Sequence, residues 1–247
     1  FVDQGDKVAY YDGLGHMVYG NNTINGVAYS MDKNSGAIRN IDTVGIKLMS
    51  AKFASKTTQT IVNVSNGGSS ARVYLYEKDK NGLWQKTLST TGHVGRNGIG
   101  TTHEGLSTTP IGAFSLGLAF GKYPKAKLNT SLAYRQIDGN SYWIEDPKDA
   151  QYNTWQERSW ANYKNEHLID YTKKAPNNQY EYAIVINYNT KQIVRNAGSG
   201  FFLHVDNGIN TAGCVSVPIA VMEKLFTKLG NGAYIVNVND INQIKNY

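Results

Sequence analysis

Cysteine is almost missing from this chain: Cys214 is the single one in 247 residues. An intramolecular disulfide is excluded, so stability has to come from a packed core, which a chain of this length can supply. Proline is scarce at five residues, and only 18% of residues are charged. The longest uncharged apolar stretch, 111–121, is far shorter than the ~20 residues of a membrane helix, so no span of a bilayer is expected. No two histidines stand at a short ligand spacing such as His-x-x-x-His, and no metal or other cofactor is expected. No Lys/Arg-rich stretch or RNA-binding signature occurs, which sets nucleic acid aside. The net charge of +6 favours other anionic surfaces, such as wall polymers or acidic lipid. The glycine-rich run 95–100 lacks the strand, loop and helix context of a phosphate cradle.

What is present centres on that one thiol. Cys214 lies in Thr211-Ala212-Gly213-Cys214-Val215-Ser216, ten positions after His204. A thiol and an imidazole delivered by neighbouring elements make a nucleophile and its base. Gly213 lets the backbone approach a substrate closely or take a positive φ. The run 201–205, which contains His204, reads as a buried strand. Pro218 suits a first helical turn, and Ile219, Met222, Leu225, Phe226 and Leu229 recur at helical spacing before Gly230, which predicts a helix over 218–229. Cys214 is thus expected just ahead of a helix N-terminus, whose partial positive charge, with a nearby imidazolium, favours thiolate. A lone cysteine is also commonly a small buried hydrophobe, so spacing alone leaves both readings open.

Strands are predicted over 60–64, 72–76, 84–88, 182–188, 192–196, 201–205 and 233–238, with a turn at Lys80-Asn81-Gly82. The polar stretch 148–179, with aromatics interspersed, reads as a lid or wall over the site or as a packed insertion, with helical spacing at Trp160, Tyr163 and His167. The first forty residues differ. Val8-Ala9-Tyr10 returns as Val27-Ala28-Tyr29, and repeats of such a period stack as short hairpins. The expected organisation is a hairpin-repeat module over 1–40, a Lys/Ser/Thr-rich connector over 41–54 that can include a short strand, and a mostly β domain over 55–247. The chain begins at Phe1 with neither Met nor a signal peptide, which reads as a processed form or a piece lacking its N-terminal part.

Around Cys214 the chain resembles the L,D-transpeptidases of the bacterial cell wall, the YkuD-type catalytic domain. That family carries a His and then a segment ending Ser/Thr-x-Gly-Cys, here His204 and Thr211-Ala212-Gly213-Cys214. Thr109-Pro110-Ile111-Gly112-Ala113-Phe114, Trp143 with Asp146-Pro147, Tyr152-Asn153, Glu166 and Tyr188-Asn189 fit one branch of it, so the likeness runs over about residues 55 to 240. Many members have His where this chain has Ala212 and Arg where it has Ser216, which bears on the substrate rather than on the nucleophile. The first forty residues resemble the tandem cell-wall or glucan-binding repeats of Gram-positive surface proteins.

The resemblance implies a mainly β (α+β) fold: a YkuD-like β-sandwich with one helix after Cys214, beside a small N-terminal β-hairpin module. It implies Cys214 as nucleophile, His204 as base, and the backbone N–H groups of Gly213 and Cys214 around the oxyanion. Thr211, Ser216, Tyr134 and Trp143 become expected substrate contacts, and Tyr10, Tyr11 and Tyr29 expected sugar-stacking rings. The partners implied are peptidoglycan stem peptides, with wall polysaccharide or teichoic acid at the repeats. The location implied is the wall or surface of a Gram-positive bacterium. Transpeptidation to 3→3 cross-links and L,D-carboxypeptidase trimming use the same residues and both stay open, as do a non-catalytic wall-binding protein and a cysteine peptidase or amidase of another fold. The group that orients His204 is not visible at this level; a backbone carbonyl and Asp206 are the candidates.

Overall fold

A computed structural model describes residues 1–4 and 7–247. Its centre is one nine-stranded sheet, in the order Tyr134–Gln136, Gly112–Gly121, Tyr182–Ile186, Phe202–Val205, Val215–Val217, Trp84–His93, Ser70–Lys78, Gln59–Val64, Tyr234–Val238. The last strand pairs back onto the first half of Gly112–Gly121, with Gly112 opposite Asn237 and Ser115 opposite Tyr234. The second half of that long strand pairs with Tyr182–Ile186 instead. One strand shared between two partners closes the sheet into a barrel-like ring, and closure leaves few exposed edges.

Side-chain parity explains why these strands are apolar almost throughout. Ile61, Val73, Leu75, Ile184, Leu203, Val215 and Ile235 meet in the principal core. Their immediate neighbours Val62, Tyr76 and Val236 belong to a second apolar cluster. Ala183, Val185 and Phe202 belong to a third. Alternate residues face opposite sides of a strand, so a strand covered on both faces loses the polar half of its pattern.

The second cluster is the ground on which the N-terminal segment rests. The hairpin of Gly20–Ile24 with Val27–Met31 sends Tyr29 and Met31 into the same apolar cluster as Tyr76, Trp84 and Val236. Tyr29 is only 3% exposed, and its ring lies 4.9 Å from that of Phe1. A ring so enclosed has no face open to a sugar, which corrects its expected stacking role. Tyr10 and Tyr11 are half-buried, and the Tyr11 hydroxyl accepts a hydrogen bond from Gln4 at 2.8 Å.

Three local expectations are revised. The expected connector is a helix, Thr43–Met49, whose N-cap Asp42 accepts from the Gly45 N–H and also from the Tyr76 hydroxyl, each at 2.8 Å. Residues 192–196 are a turn, with Asn196 at φ 66° and the Asn189 side chain bonded to both N–H and C=O of Val194. In 148–179 no helix follows Trp160; a short strand Glu166–His167 leads into the 3₁₀ turn Leu168–Tyr171, and Trp160 and Tyr163 stand exposed. The strand Ser141–Trp143 pairs with Trp155–Glu157 and Glu166–His167, forming a small sheet beside the third cluster. The helix after the cysteine is Ile219–Lys228, close to its predicted span. No helix is long and apolar enough to cross a membrane among the described residues.

Candidate active site

The strand Phe202–Val205 pairs in parallel with Val215–Val217, placing Leu203 opposite Val215 and His204 opposite Ser216. Leu203, Val205, Val215 and Val217 turn into the principal core, so parity turns Phe202 and His204 to the other face. Cys214, one residue before Val215, packs against the cluster on that face. His204 and Cys214 thereby line one cavity of about 450 Å³, together with Glu145, Glu166, Tyr171 and Tyr180. The stretch 148–179 does supply a wall, through Glu166 and Tyr171.

His204 is 6% exposed, and its Nδ1 lies 2.8 Å from the Val205 carbonyl oxygen. A carbonyl only accepts, so in the neutral ring Nδ1 carries the proton and Nε2 keeps the lone pair. Burial holds the imidazole down at about 4, so it is neutral at physiological pH. Asp206 is committed elsewhere: one of its oxygens takes His93 Nδ1 at 2.8 Å and the Ser216 hydroxyl at 2.7 Å. The orienting group is thus the neighbouring carbonyl.

The Cys214 thiol donates to the Gly200 carbonyl at 3.3 Å, and its sulfur accepts from the Phe202 N–H at 3.3 Å. Among the described residues no hydrogen bond joins it to His204. Burial pushes the thiol well above its ordinary range, and the charges of Glu166 and Glu145 act in the same direction. The expected thiolate is therefore corrected. Burial is the main cause, and the strand Val215–Val217 and Pro218 separate Cys214 from the first turn of the helix Ile219–Lys228.

The turn before the cysteine is held by two threonines. Thr109 Oγ1 accepts from the Gly95 N–H at 2.8 Å and donates to the Gly213 carbonyl at 2.7 Å. Thr211 Oγ1 donates to the Cys214 carbonyl at 2.6 Å and accepts from the Gly213 N–H at 3.1 Å. The Gly213 N–H, expected at the oxyanion, is thus occupied within the turn, and Thr211 lines the cavity with its hydroxyl already committed. Gly213 has φ 144°, and a Cβ there would sit 2.6 Å from the Phe201 ring. Only glycine fits.

The other wall is the segment 198–200, secured by the Tyr152-Asn153 pair. The Gly198 N–H donates to the Tyr152 hydroxyl at 3.2 Å, and the Gly200 N–H to Asn153 Oδ1 at 3.1 Å. Trp143 Nε1 donates to the same Asn153 oxygen at 3.0 Å. Trp143 therefore supports the wall and is not among the residues lining the cavity. Ser216 and Tyr134 do not line it either: Ser216 is fully buried on Asp206, and the Tyr134 hydroxyl donates to the Tyr123 carbonyl at 2.6 Å.

Sequence reasoning gave the carboxylates no role in the site. Glu104, Glu145 and Glu166 come from three separate segments and share this cavity. Glu104 accepts from Ser199 Oγ at 2.6 Å and from the Tyr152 hydroxyl. Glu166 accepts from the Tyr180 hydroxyl at 2.8 Å, and burial pushes its carboxyl up to about 7. Burial, with the charges of Glu166 and Glu104, raises Glu145 well above the usual carboxylate range. No fixed sequence spacing links the three, so only Glu166, through the family likeness, had any signal. Among the described residues no group of three or more His, Cys, Asp and Glu side chains is placed to hold a metal ion.

Comparison with known proteins adds the family. No curated protein matches the chain in sequence. Among solved structures, the helical cell shape determining protein Pgp2 from Campylobacter jejuni is similar at 15% identity and a TM-score of 0.38, covering 76% of this chain and 52% of that one. A single-substitution mutant of Pgp2 gives 14% identity, a TM-score of 0.37, and coverage of 76% and 51%. The chain spans about half the length of these proteins. The profile of the L,D-transpeptidase catalytic domain, YkuD, matches residues 58–238, well over half of the chain, and the protein belongs to that family.

Proposed function

We propose that the protein is a peptidoglycan-modifying acyltransferase in which Cys214 is the nucleophile and His204 the base. One observation carries this reading: in a YkuD domain, Cys214 lines the same cavity as a buried, neutral imidazole whose Nε2 is left as the proton acceptor. His204 Nε2 takes the thiol proton as sulfur attacks the carbonyl of the third residue of a stem tetrapeptide, a diamino acid. With both partners neutral at rest, proton transfer and attack are coupled, and no standing thiolate is needed. The Cys214 N–H is the oxyanion donor the proposal retains; such a donor is typically worth ~3–4 kcal/mol. The imidazolium returns the proton to the leaving amine of the fourth-residue D-alanine, and a thioester remains. An amine of a second stem then yields a 3→3 cross-link, whereas water yields a tripeptide. The reading puts the protein at the bacterial wall, with Tyr10 and Tyr11 as remaining candidates for polysaccharide contact.

The test is intact-mass analysis after incubation with a purified disaccharide-tetrapeptide, alongside Cys214→Ala. The expected result is a mass gain of the donor minus D-alanine, absent from the variant, with turnover reduced by a factor on the order of 10⁴ or more. Dimer or tripeptide among the products then separates transfer from trimming. Absence of adduct and of free D-alanine in both proteins, with wall binding retained, would overturn the enzyme reading in favour of a binding protein.

A further inference from the structure

The walls of the cavity beside Cys214 carry one sign of charge. The chain as a whole has a net charge of +6, yet Glu104, Glu145 and Glu166 line this cavity and no lysine or arginine does. Glu104 is satisfied by two hydroxyls and Glu166 by one. Glu145 accepts no hydrogen bond from any described residue; its backbone N–H is held by Asn165 at 2.9 Å, which leaves the side chain free to point inward against Gly200. A second acceptor without a donor lies in the same lining: Gln179 Oε1, buried and unpartnered among the described residues. A desolvated carboxylate without a cation or a donor is costly, and it persists where a ligand supplies what is missing. The complement of two carboxylates and an amide oxygen is a group with several N–H donors and a positive charge. Among the described residues no group of three or more His, Cys, Asp and Glu side chains is placed to hold a metal ion in that role.

We propose that Glu145 and Glu166 form a subsite for the primary ammonium group on the side chain of the acyl-donor residue, the one whose carbonyl Cys214 attacks. This rests on the acyl-transfer reading above and adds the residues that select the donor. The side chain of the attacked residue branches one atom from the reacting carbonyl, so it must lie in the cavity around the sulfur. Both carboxyls line the cavity that holds the Cys214 sulfur, which puts them within range of such a side chain. An ammonium between them draws the protons off both carboxyls and pairs with the charges that result, so a donor lacking it loses that contact. The amine makes charge-assisted hydrogen bonds to Glu145 and Glu166, with Gln179 Oε1 as a third acceptor.

The experiment uses two stem tetrapeptides identical except that the third-residue lysine amine is free or acetylated. Equilibrium binding is measured by calorimetry on Cys214→Ala, with and without the paired substitutions Glu145→Gln and Glu166→Gln, and adduct formation is followed by mass on the Cys214 protein. The expected result is binding of the free-amine peptide at least tenfold tighter than the acetylated one, reduced to parity by the two Gln substitutions, with retained cooperative melting as the control for folding. Equal binding of the two peptides, binding of neither, or a preference that survives in the Gln variant would overturn the subsite. An amine preference without any adduct leaves the subsite standing and removes the acyl-transfer reading; adducts formed equally from both peptides do the reverse.

Discussion

The thiol of Cys214 is hydrogen-bonded to the carbonyl oxygen of Gly200, at 3.3 Å, and not to the histidine beside it. A thiol that donates to a carbonyl is protonated, and burial among Glu166 and Glu145 holds it so. The expected outcome is slow alkylation of Cys214 by iodoacetamide at neutral pH, with a rate still rising at alkaline pH beyond the ordinary thiol range. Intact mass reads it directly, because Cys214 is the only thiol. Fast, pH-independent alkylation around neutrality would mean a standing thiolate–imidazolium pair instead.

Gly200 is held in turn by Asn153, whose Oδ1 also accepts from Trp143 Nε1 and whose Nδ2 donates to the Asn189 carbonyl at 2.8 Å. Asn153 sits at φ 57°, a conformation asparagine tolerates better than most residues. Asn153→Ala strands buried donors and adds backbone strain, and is expected to cost about 2–4 kcal/mol of stability. Trp143→Phe removes only one donor and some contact, so about 1–2 kcal/mol is expected. Urea unfolding of the two variants checks the order, and an Asn153→Ala protein as stable as the parent would show that the wall is held by other contacts.

Six of the nine strands in the ring were legible, as largely apolar runs bounded by polar turns such as Tyr182–Ile186 and Tyr234–Val238, whereas Gly112–Gly121, which closes the ring, Val215–Val217 and Tyr134–Gln136 were not predicted. That Cys214 and His204 share one cavity was legible because both lie within one short segment joined by adjacent strands. The helix Thr43–Met49 was not, since it is short and its buried Ile46 and Leu48 alternate as they would in a strand. Its Gly45 looks like a breaker but is required by the Trp84 carbonyl, 2.8 Å from where a Cβ would stand. The acidic wall was illegible for a different reason: Glu104, Glu145 and Glu166 meet only through long-range folding, and each looks like a solvated charge in its own segment.

Stability against pH offers a test of the buried charges. His204, held down at about 4, is neutral in the fold while the unfolded chain protonates below about 6.5, so its contribution rises with pH between those values. Glu166, pushed up to about 7, and Glu145, raised as well, keep protons in the fold that the unfolded chain releases above about 4.5, so their contribution falls with pH. Between pH 5 and 6 two carboxyls oppose one imidazole. The expected net is stability falling with rising pH by up to about 1.4 kcal/mol per unit, the equivalent of one proton. In the double variant Glu145→Gln with Glu166→Gln only the histidine remains, and the slope reverses sign. Urea midpoints across this window decide the matter: a slope that keeps its sign in the double variant would mean these carboxyls titrate normally.

The turn that presents the nucleophile tolerates no side chain at Gly213. Its φ of 144° is strained for any L-residue, and an added methyl would stand 2.6 Å from a ring carbon of Phe201, which is itself buried against Tyr188. Relief by moving Phe201 disturbs the segment that carries the Gly200 acceptor of Cys214, and relief by moving the turn breaks the hydrogen bonds of Thr109 and Thr211 to the Gly213 and Cys214 carbonyls. Gly213→Ala is therefore expected to lose about 2–4 kcal/mol of stability and to slow acylation of Cys214 more than tenfold, the second effect persisting at low temperature where the variant stays folded. Gly139→Ala is the control, since a Cβ there meets nothing within 4 Å and its φ is not positive. It is expected to stay within about 0.5 kcal/mol of the parent with unchanged acylation. Equal effects at the two glycines would show that the turn yields to a side chain, and that the geometry around Cys214 does not depend on the absence of one.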